Sequence, residues 1–208
     1  MVNLPKSAMV IDVATVRRAL LDLPGRPAEP PLSERFAAVA AVLRDGPYGA
    51  ELLLIQRAER SNDPWSGHMA LPGGRQDACD PDVLATAVRE TREEVGIDLA
   101  HSGALLGRLD DLPAVSRGQR VGLTIAPFVF GLQHDVALET NYEVREALWV
   151  ALGPLYHDER AMTYKYELGE SVFDVPAWDV EGRVVWGLTY RILKELFRVV
   201  TTSVQQPL

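Results

Sequence analysis

Leu71-Pro72-Gly73-Gly74-Arg75-Gln76-Asp77-Ala78-Cys79-Asp80-Pro81-Asp82-Val83-Leu84-Ala85-Thr86-Ala87-Val88-Arg89-Glu90-Thr91-Arg92-Glu93-Glu94-Val95-Gly96-Ile97 is the stretch from which the rest of the chain is best read. Its second part predicts a helix over residues 80–96. Asp80 suits an N-cap, Pro81 suits the first helical position, and Gly96 supplies a C-terminal stop. On a helical wheel Leu84, Ala87, Val88, Thr91 and Val95 form an arc toward the core. Glu90, Glu93 and Glu94, at i, i+3 and i+4, are expected to form a second, acidic arc. Glutamates on a helix are usually a solvated face, yet three like charges at these spacings repel one another. A hard divalent cation, Mg²⁺ above all, would turn that repulsion into attraction through carboxylate oxygens. The loop ahead of the helix strengthens this reading. Two consecutive glycines allow the backbone to approach a ligand closely, and a carbonyl at Gly73 can reach a metal.

Outward from this stretch, the chain alternates strand and helix signals. Residues 36–43 and 52–55 are nearly all apolar and flank Arg44-Asp45-Gly46-Pro47-Tyr48-Gly49, a turn sequence, so a hairpin of buried strands is expected. Residues 57–74 form a long polar connection of the kind that often carries function. Further strands are expected at 105–109, 123–132 and 147–150. An amphipathic helix is expected at 11–23 and another at about 188–199, with Leu188, Ile192, Leu193, Leu196 and Val200 inward. The proline-rich stretch 24–31 reads as a linker or a surface strap. The order predicts an α+β fold, a sandwich built around a mixed β-sheet. Residues 1–35 read as an appended helix and strap, 36–200 as the main domain and 201–208 as a tail.

Composition narrows the function class. Hydrophobic residues make up 47% and charged residues 24% of the 208, as in soluble globular proteins. No apolar run approaches the ~20 residues that a membrane span needs, and the N-terminus lacks a secretion layout. With one cysteine, Cys79, no internal disulfide can form, so a cytoplasmic protein is expected. The formal net charge of −8 argues against nucleic acid as a partner. If the substrate is itself an anion, a cation is needed to bring it in.

The residues resemble the Nudix box, which reads Gly, five residues, Glu, seven residues, then Arg-Glu-apolar-x-Glu-Glu-x-Gly-apolar. Here the match is Gly74, five residues, Asp80, eight residues, then Arg89-Glu90-Thr91-Arg92-Glu93-Glu94-Val95-Gly96-Ile97. Asp80 replaces the usual Glu, the following spacer is one residue longer, and Thr91 replaces an apolar residue. The resemblance implies a Nudix-type α/β/α sandwich and a hydrolase that cuts a diphosphate bond in a nucleotide-like substrate. It implies that Glu90, Glu93 and Glu94 hold Mg²⁺ or Mn²⁺, with the carbonyl of Gly73 nearby, and that Arg89 orients the glutamates. Water activated by the cation would attack phosphorus. The general base would come from the box, at Glu93, or from a later loop, where Glu143 and Glu146 precede the strand expected at 147–150.

A narrower likeness is to the coenzyme A diphosphatase branch. Leu53-Leu54, Arg57, Arg60, Gly67-His68-Met69-Ala70-Leu71-Pro72-Gly73-Gly74 and the late Val185-Trp186-Gly187-Leu188-Thr189 resemble its signature. Ile55 and Leu71 stand where that branch has Thr and Phe, and the stretch between Leu54 and Gly67 is about one residue long for it. Arg57, Arg60 and Arg75 are expected to form a local positive rim for substrate phosphates. Trp65 can stack on an adenine. His68 lies in the signature loop, whereas His101, His134 and His157 read as surface or packing residues. Trp149, Trp178 and Trp186 read as core or interface residues. ADP-ribose or another nucleoside di- or triphosphate is the alternative substrate. A non-catalytic nucleotide sensor is disfavoured because Arg89, Glu90, Glu93 and Glu94 are all present. The appended N-terminal and C-terminal elements make a homodimer the expected assembly.

Overall fold

A computed structural model describes residues 10–28, 33–60, 65–116 and 118–205. Its strands are β1 (Phe36–Gly46), β2 (Gly49–Arg57), β3 (Met69–Ala70), β4 (Gly73–Arg75), β5 (Gly103–Arg108), β6 (Leu112–Ser116), β7 (Gln119–Leu132), β8 (Val144–Ala151), β9 (Ala161–Leu168), β10 (Ser171–Val180) and β11 (Arg183–Trp186). Its helices are α1 (Val13–Asp22), α2 (Val83–Val95), α3 (Leu99–Ser102), α4 (Leu152–Tyr156) and α5 (Gly187–Gln205). The main sheet is mixed and runs β3-β2-β1-β7-β5, with β8 added to β2, β4 to β1 and β6 to β7. β1 lies parallel to β7 and antiparallel to β2 and β4. A second sheet has the order β11-β10-β9.

The apolar runs at 36–43 and 52–55 are buried on both faces, which is why they do not alternate with polar residues. Leu52 and Leu54 join one core with α1 and α5, through Val16, Leu20, Ile192, Leu196 and Phe197. Leu53 and Ile55 join the other with α2, through Ala87 and Val95, and with Ile97 just beyond it. The molecule is therefore helix, sheet, helix in three layers. Each of these four β2 side chains is fully buried, worth roughly 1.5–3 kcal/mol apiece relative to exposure.

The central helix departs from expectation at its start. Asp82 is the N-cap, accepting from the backbone N–H of Ala85 at 2.8 Å, and α2 begins at Val83. Asp80 cannot cap because its carboxylate is committed to Arg89. The C-terminal stop is as expected, with Gly96 at φ 76°. α5 runs past the expected end to Gln205, so residues 201–205 are helix rather than tail. Val199, Val200 and Ser203 are buried, and the Ser203 hydroxyl donates to Asp22 of α1 at 2.6 Å. α1 thus shares a core with the sheet and α5, although parts of the expected 1–35 segment, residues 1–9 and 29–32, lie outside the described residues. Residues 25–28 of the proline-rich stretch run beside the segment between β5 and β6. The backbone N–H groups of Arg26 and Ala28 donate to Asp110 and Asp111 at 2.9 and 3.0 Å. β6 and the three strands of the second sheet were not expected. Among the described residues no helix is long and apolar enough to cross a membrane.

Candidate active site

The two glycines of the loop are required by contact with the sheet and with α2. β4 pairs with β1 so closely that a Cβ on Gly73 would lie 2.3 Å from the carbonyl oxygen of Ala38, and its φ of 154° also disfavours a side chain. A Cβ on Gly74 would lie 2.4 Å from the carboxylate of Glu90. The N–H of Gly73 donates to Glu94 at 2.8 Å. Loop and helix are thereby locked face to face. Replacing Gly73 by Ala should cost stability, by roughly 1–3 kcal/mol, because the clash is with backbone. Gly74→Ala should leave the fold near its native stability, because the flexible end of Glu90 can swing away, and should weaken Mg²⁺ binding. Thermal unfolding and calorimetric Mg²⁺ titration of both variants check this, and equal losses of stability would refute it.

The expected acidic face is divided by the fold. Glu94 is 2% exposed, as deep as the core. Burial pushes its carboxyl up to about 7; the Gly73 N–H opposes the rise, and the charges of Glu90 and Glu143 add to it. Glu90 is also raised, first by burial, against the pull of Arg89. Glu93 is more open, its side chain 54% exposed and paired with Arg89 at 3.1 Å. Arg89 acts as a hub. Its Nε and Nη2 donate to the two oxygens of Asp80 at 2.9 and 2.8 Å, its Nη1 to Glu90 at 2.9 Å, and its Nη2 also to the carbonyl of Arg75 at 3.1 Å. Asp80 also accepts from Thr86 and from the N–H of Asp77. The guanidinium of Arg89 holds Asp80 far below the usual carboxylate range.

Glu90 and Glu94 open into a cavity of about 590 Å³. Arg57, Arg60, Trp65, Gly73, Arg75 and Glu143 line it as well, so most of the residues singled out from sequence are brought together. Arg89 and Glu93 are not among its lining residues. Arg60 pairs with Glu143 at 2.9 Å, its guanidinium 5.2 Å from the ring centre of Tyr142. Glu146 is held elsewhere, by a two-pronged bond from Arg183 at 2.8 and 2.6 Å, which lowers its pKa. Of the two glutamates only Glu143 lines the cavity, while Glu146 lies within β8.

One part of the wall was missed by sequence reasoning: Ala114, Leu123 and Ile125 of the β6–β7 hairpin give an apolar side. His68, Trp186 and Thr189, from the two stretches that resemble the coenzyme A diphosphatase signature, come from the rim near α5, and Trp186, read as a core or interface residue, is part of the cavity wall. Among the described residues, no three His, Cys, Asp or Glu side chains converge closely enough to form a complete metal site. The donor chemistry nevertheless suits a hard cation. The buried Glu94 and the half-buried Glu90 share one cavity with Glu143, whose charge raises the proton affinity of both, and water and phosphate oxygens can complete an octahedral shell.

Residues 34–169 match the family model described as NUDIX domain. An uncharacterized protein of Schizosaccharomyces pombe is 46% identical over 107 residues, 50% of this chain and 32% of that protein. The mitochondrial coenzyme A diphosphatase of Homo sapiens is 28% identical over 162 residues, 75% of this chain and 65% of that enzyme. The chain thus spans about a third and just under two thirds of the lengths of these curated relatives. A solved structure of a MutT/nudix family protein from Enterococcus faecalis superposes with a TM-score of 0.51 at 15% identity, over 83% of this chain and 62% of that one, a likeness of fold.

Proposed function

The chain belongs to the NUDIX domain family, and from that premise we propose that it is a Mg²⁺- or Mn²⁺-dependent hydrolase of a diphosphate bond, with coenzyme A or a derivative as substrate. The observation that carries the chemistry is the cavity that Glu90 and Glu94 line together with Arg57, Arg60 and Arg75. The carboxylates suit a divalent cation and the guanidinium groups suit phosphate oxygens. Glu90 and Glu94 would hold the ion, with Glu93 and the Gly73 carbonyl adjoining. When bound, the ion supplies positive charge against the phosphate oxygens and eases deprotonation of the attacking water.

The protein's own residues do the rest. Arg89 positions Glu90 and Glu93 through its fixed bond to Asp80. Arg57, Arg60 and Arg75 bind and orient the diphosphate. Glu143 can accept the proton of the attacking water once phosphate draws Arg60 away from it. Coenzyme A is favoured by the named human relative and by the apolar wall of β6 and β7, which suits the uncharged arm of that molecule.

The test is a panel of coenzyme A, its dephospho form, ADP-ribose and a nucleoside triphosphate with Mg²⁺ or Mn²⁺, read by product mass. Coenzyme A should give adenosine 3′,5′-bisphosphate and phosphopantetheine. Preferential cleavage of ADP-ribose or the triphosphate would replace coenzyme A as substrate, and binding without turnover of any of them would replace the enzyme by a sensor. Arg57→Ala or Arg60→Ala should weaken coenzyme A by roughly 1.5–3 kcal/mol if that residue holds the 3′-phosphate. Equal losses on the dephospho form would assign the arginine to the shared diphosphate instead.

A further inference from the structure

Trp186, the last residue of β11, lies at the rim of the cavity in a cluster of aromatic rings. Tyr166 and Tyr164 of β9 approach its indole at centroid distances of 4.6 and 5.2 Å, and His68 at 4.9 Å, all tilted. Such spacings are those of favourable aromatic pairs. The indole's backbone is also fixed. Trp186 pairs with Ala177 of β10, and three residues on the Thr189 hydroxyl donates to the carbonyl of Met69 at 3.0 Å. The ring is therefore preorganised from three directions, yet it is only half-buried and lines the cavity together with His68.

The hairpin that braces it is two-sided. On the face it shares with Trp186, β9 and β10 present Met162, Tyr164, Tyr166, Phe173 and Val175. On the other face Lys165 pairs with Asp174 at 3.1 Å in solvent. An indole braced at the rim of a cavity that also holds arginines and carboxylates suits a ligand that joins a planar ring to phosphate.

We infer that Trp186 is the platform on which the substrate's nucleobase stacks, with Tyr164, Tyr166 and His68 as its brace. The inference deepens the nucleotide-like substrate reading and rests on it. It moves the stacking role from Trp65, where the sequence placed it, to a residue held in regular structure. The platform is tolerant of base identity, because every base offers a ring face, so Trp186 would select for a nucleotide over a plain phosphorylated sugar without choosing among bases.

The experiment measures binding in Mg²⁺ by calorimetry and by tryptophan fluorescence, using AMP and ribose 5-phosphate, which differ only in the base. Trp186→Leu should weaken AMP roughly five- to a hundredfold and leave ribose 5-phosphate within about twofold. Trp186→Phe should keep most AMP affinity while losing most of the fluorescence quench that AMP produces in the unmodified chain, whose other tryptophans are Trp65, Trp149 and Trp178. The phenylalanine variant keeps the test decisive should the leucine variant fold poorly. A quench that survives Trp186→Phe and vanishes in Trp65→Phe would overturn the assignment. So would parallel losses for AMP and ribose 5-phosphate, or a wild-type chain that binds AMP no better than ribose 5-phosphate. A wrong substrate reading would show differently, as no turnover on the panel above with AMP stacking intact.

Discussion

Glu94→Gln is expected to reduce turnover by at least roughly 100-fold while the protein stays folded. The structure separates the two effects. Gln keeps the shape of the side chain, and its amide oxygen can still accept the Gly73 N–H now bonded to Glu94 at 2.8 Å. What it removes is a negative charge in a place that is 2% exposed and already crowded by Glu90 and Glu143. Neutralising a charge that burial penalises should not destabilise the ion-free protein. Turnover with Mg²⁺, Mg²⁺ affinity by calorimetry, and thermal unfolding in a chelator should therefore part company: the first two fall and the third holds. Near-normal turnover would remove Glu94 from the site. Loss of all three together would make it a structural residue of the α2–β4 junction.

That Glu94 is buried shows where the sequence could be read and where it could not. At 100° per residue, Glu94 falls about 20° from Ala87, just past the edge of the arc assigned to the core, while Glu90 and Glu93 lie progressively further round. Grouping all three by i, i+3 and i+4 spacing found the chemistry but hid the fact that the helix buries one of them. The start of α2 was misjudged because three acids, Asp77, Asp80 and Asp82, compete for the cap. Only the fold, by giving Asp80 to Arg89 and Thr86, leaves the cap to Asp82. β1 and β2 were plain because burial on both faces leaves an unbroken apolar run. β9 and β10 were missed for the opposite reason. Most of their residues are exposed, so charged and aromatic residues are interleaved. The one local clue was the two-residue link at Gly169, a glycine with φ 61°, between two runs rich in β-branched and aromatic residues. Trp186, which this second sheet gives to the cavity wall, sits beside contacts between residues more than a hundred positions apart, such as Thr189 of α5 with Met69.

Arg89→Ala is expected to destabilise the protein by roughly 3–5 kcal/mol, the cost of removing one partner from a buried ion pair. At this chain length that lowers the unfolding temperature by roughly 6–20 °C. The side chain of Asp80 is 4% exposed and that of Glu90 15%, and Arg89 is the cation bound to both. Without it Asp80 keeps only Thr86 and the Asp77 N–H. Arg89→Lys should recover little, since one ammonium cannot make the two-pronged bond to Asp80 while reaching Glu90. The pH dependence has a definite sign. The folded-state pKa of Asp80 is depressed below its ordinary 3.8, so its contribution to stability is present above that value and is lost as pH falls through the folded-state pKa. The unmodified protein should lose this contribution progressively as it is acidified below about pH 4, and Arg89→Ala should lack that part of the acid sensitivity because the contribution is already gone. Asp80→Asn supplies the control. If the two side chains act as one unit, the double variant should cost clearly less than the sum of the singles. Costs that simply add, or a cost below about 1 kcal/mol for Arg89→Ala, the range of an exposed ion pair, would mean that Arg89 does not hold the loop, the helix start and Glu90 together.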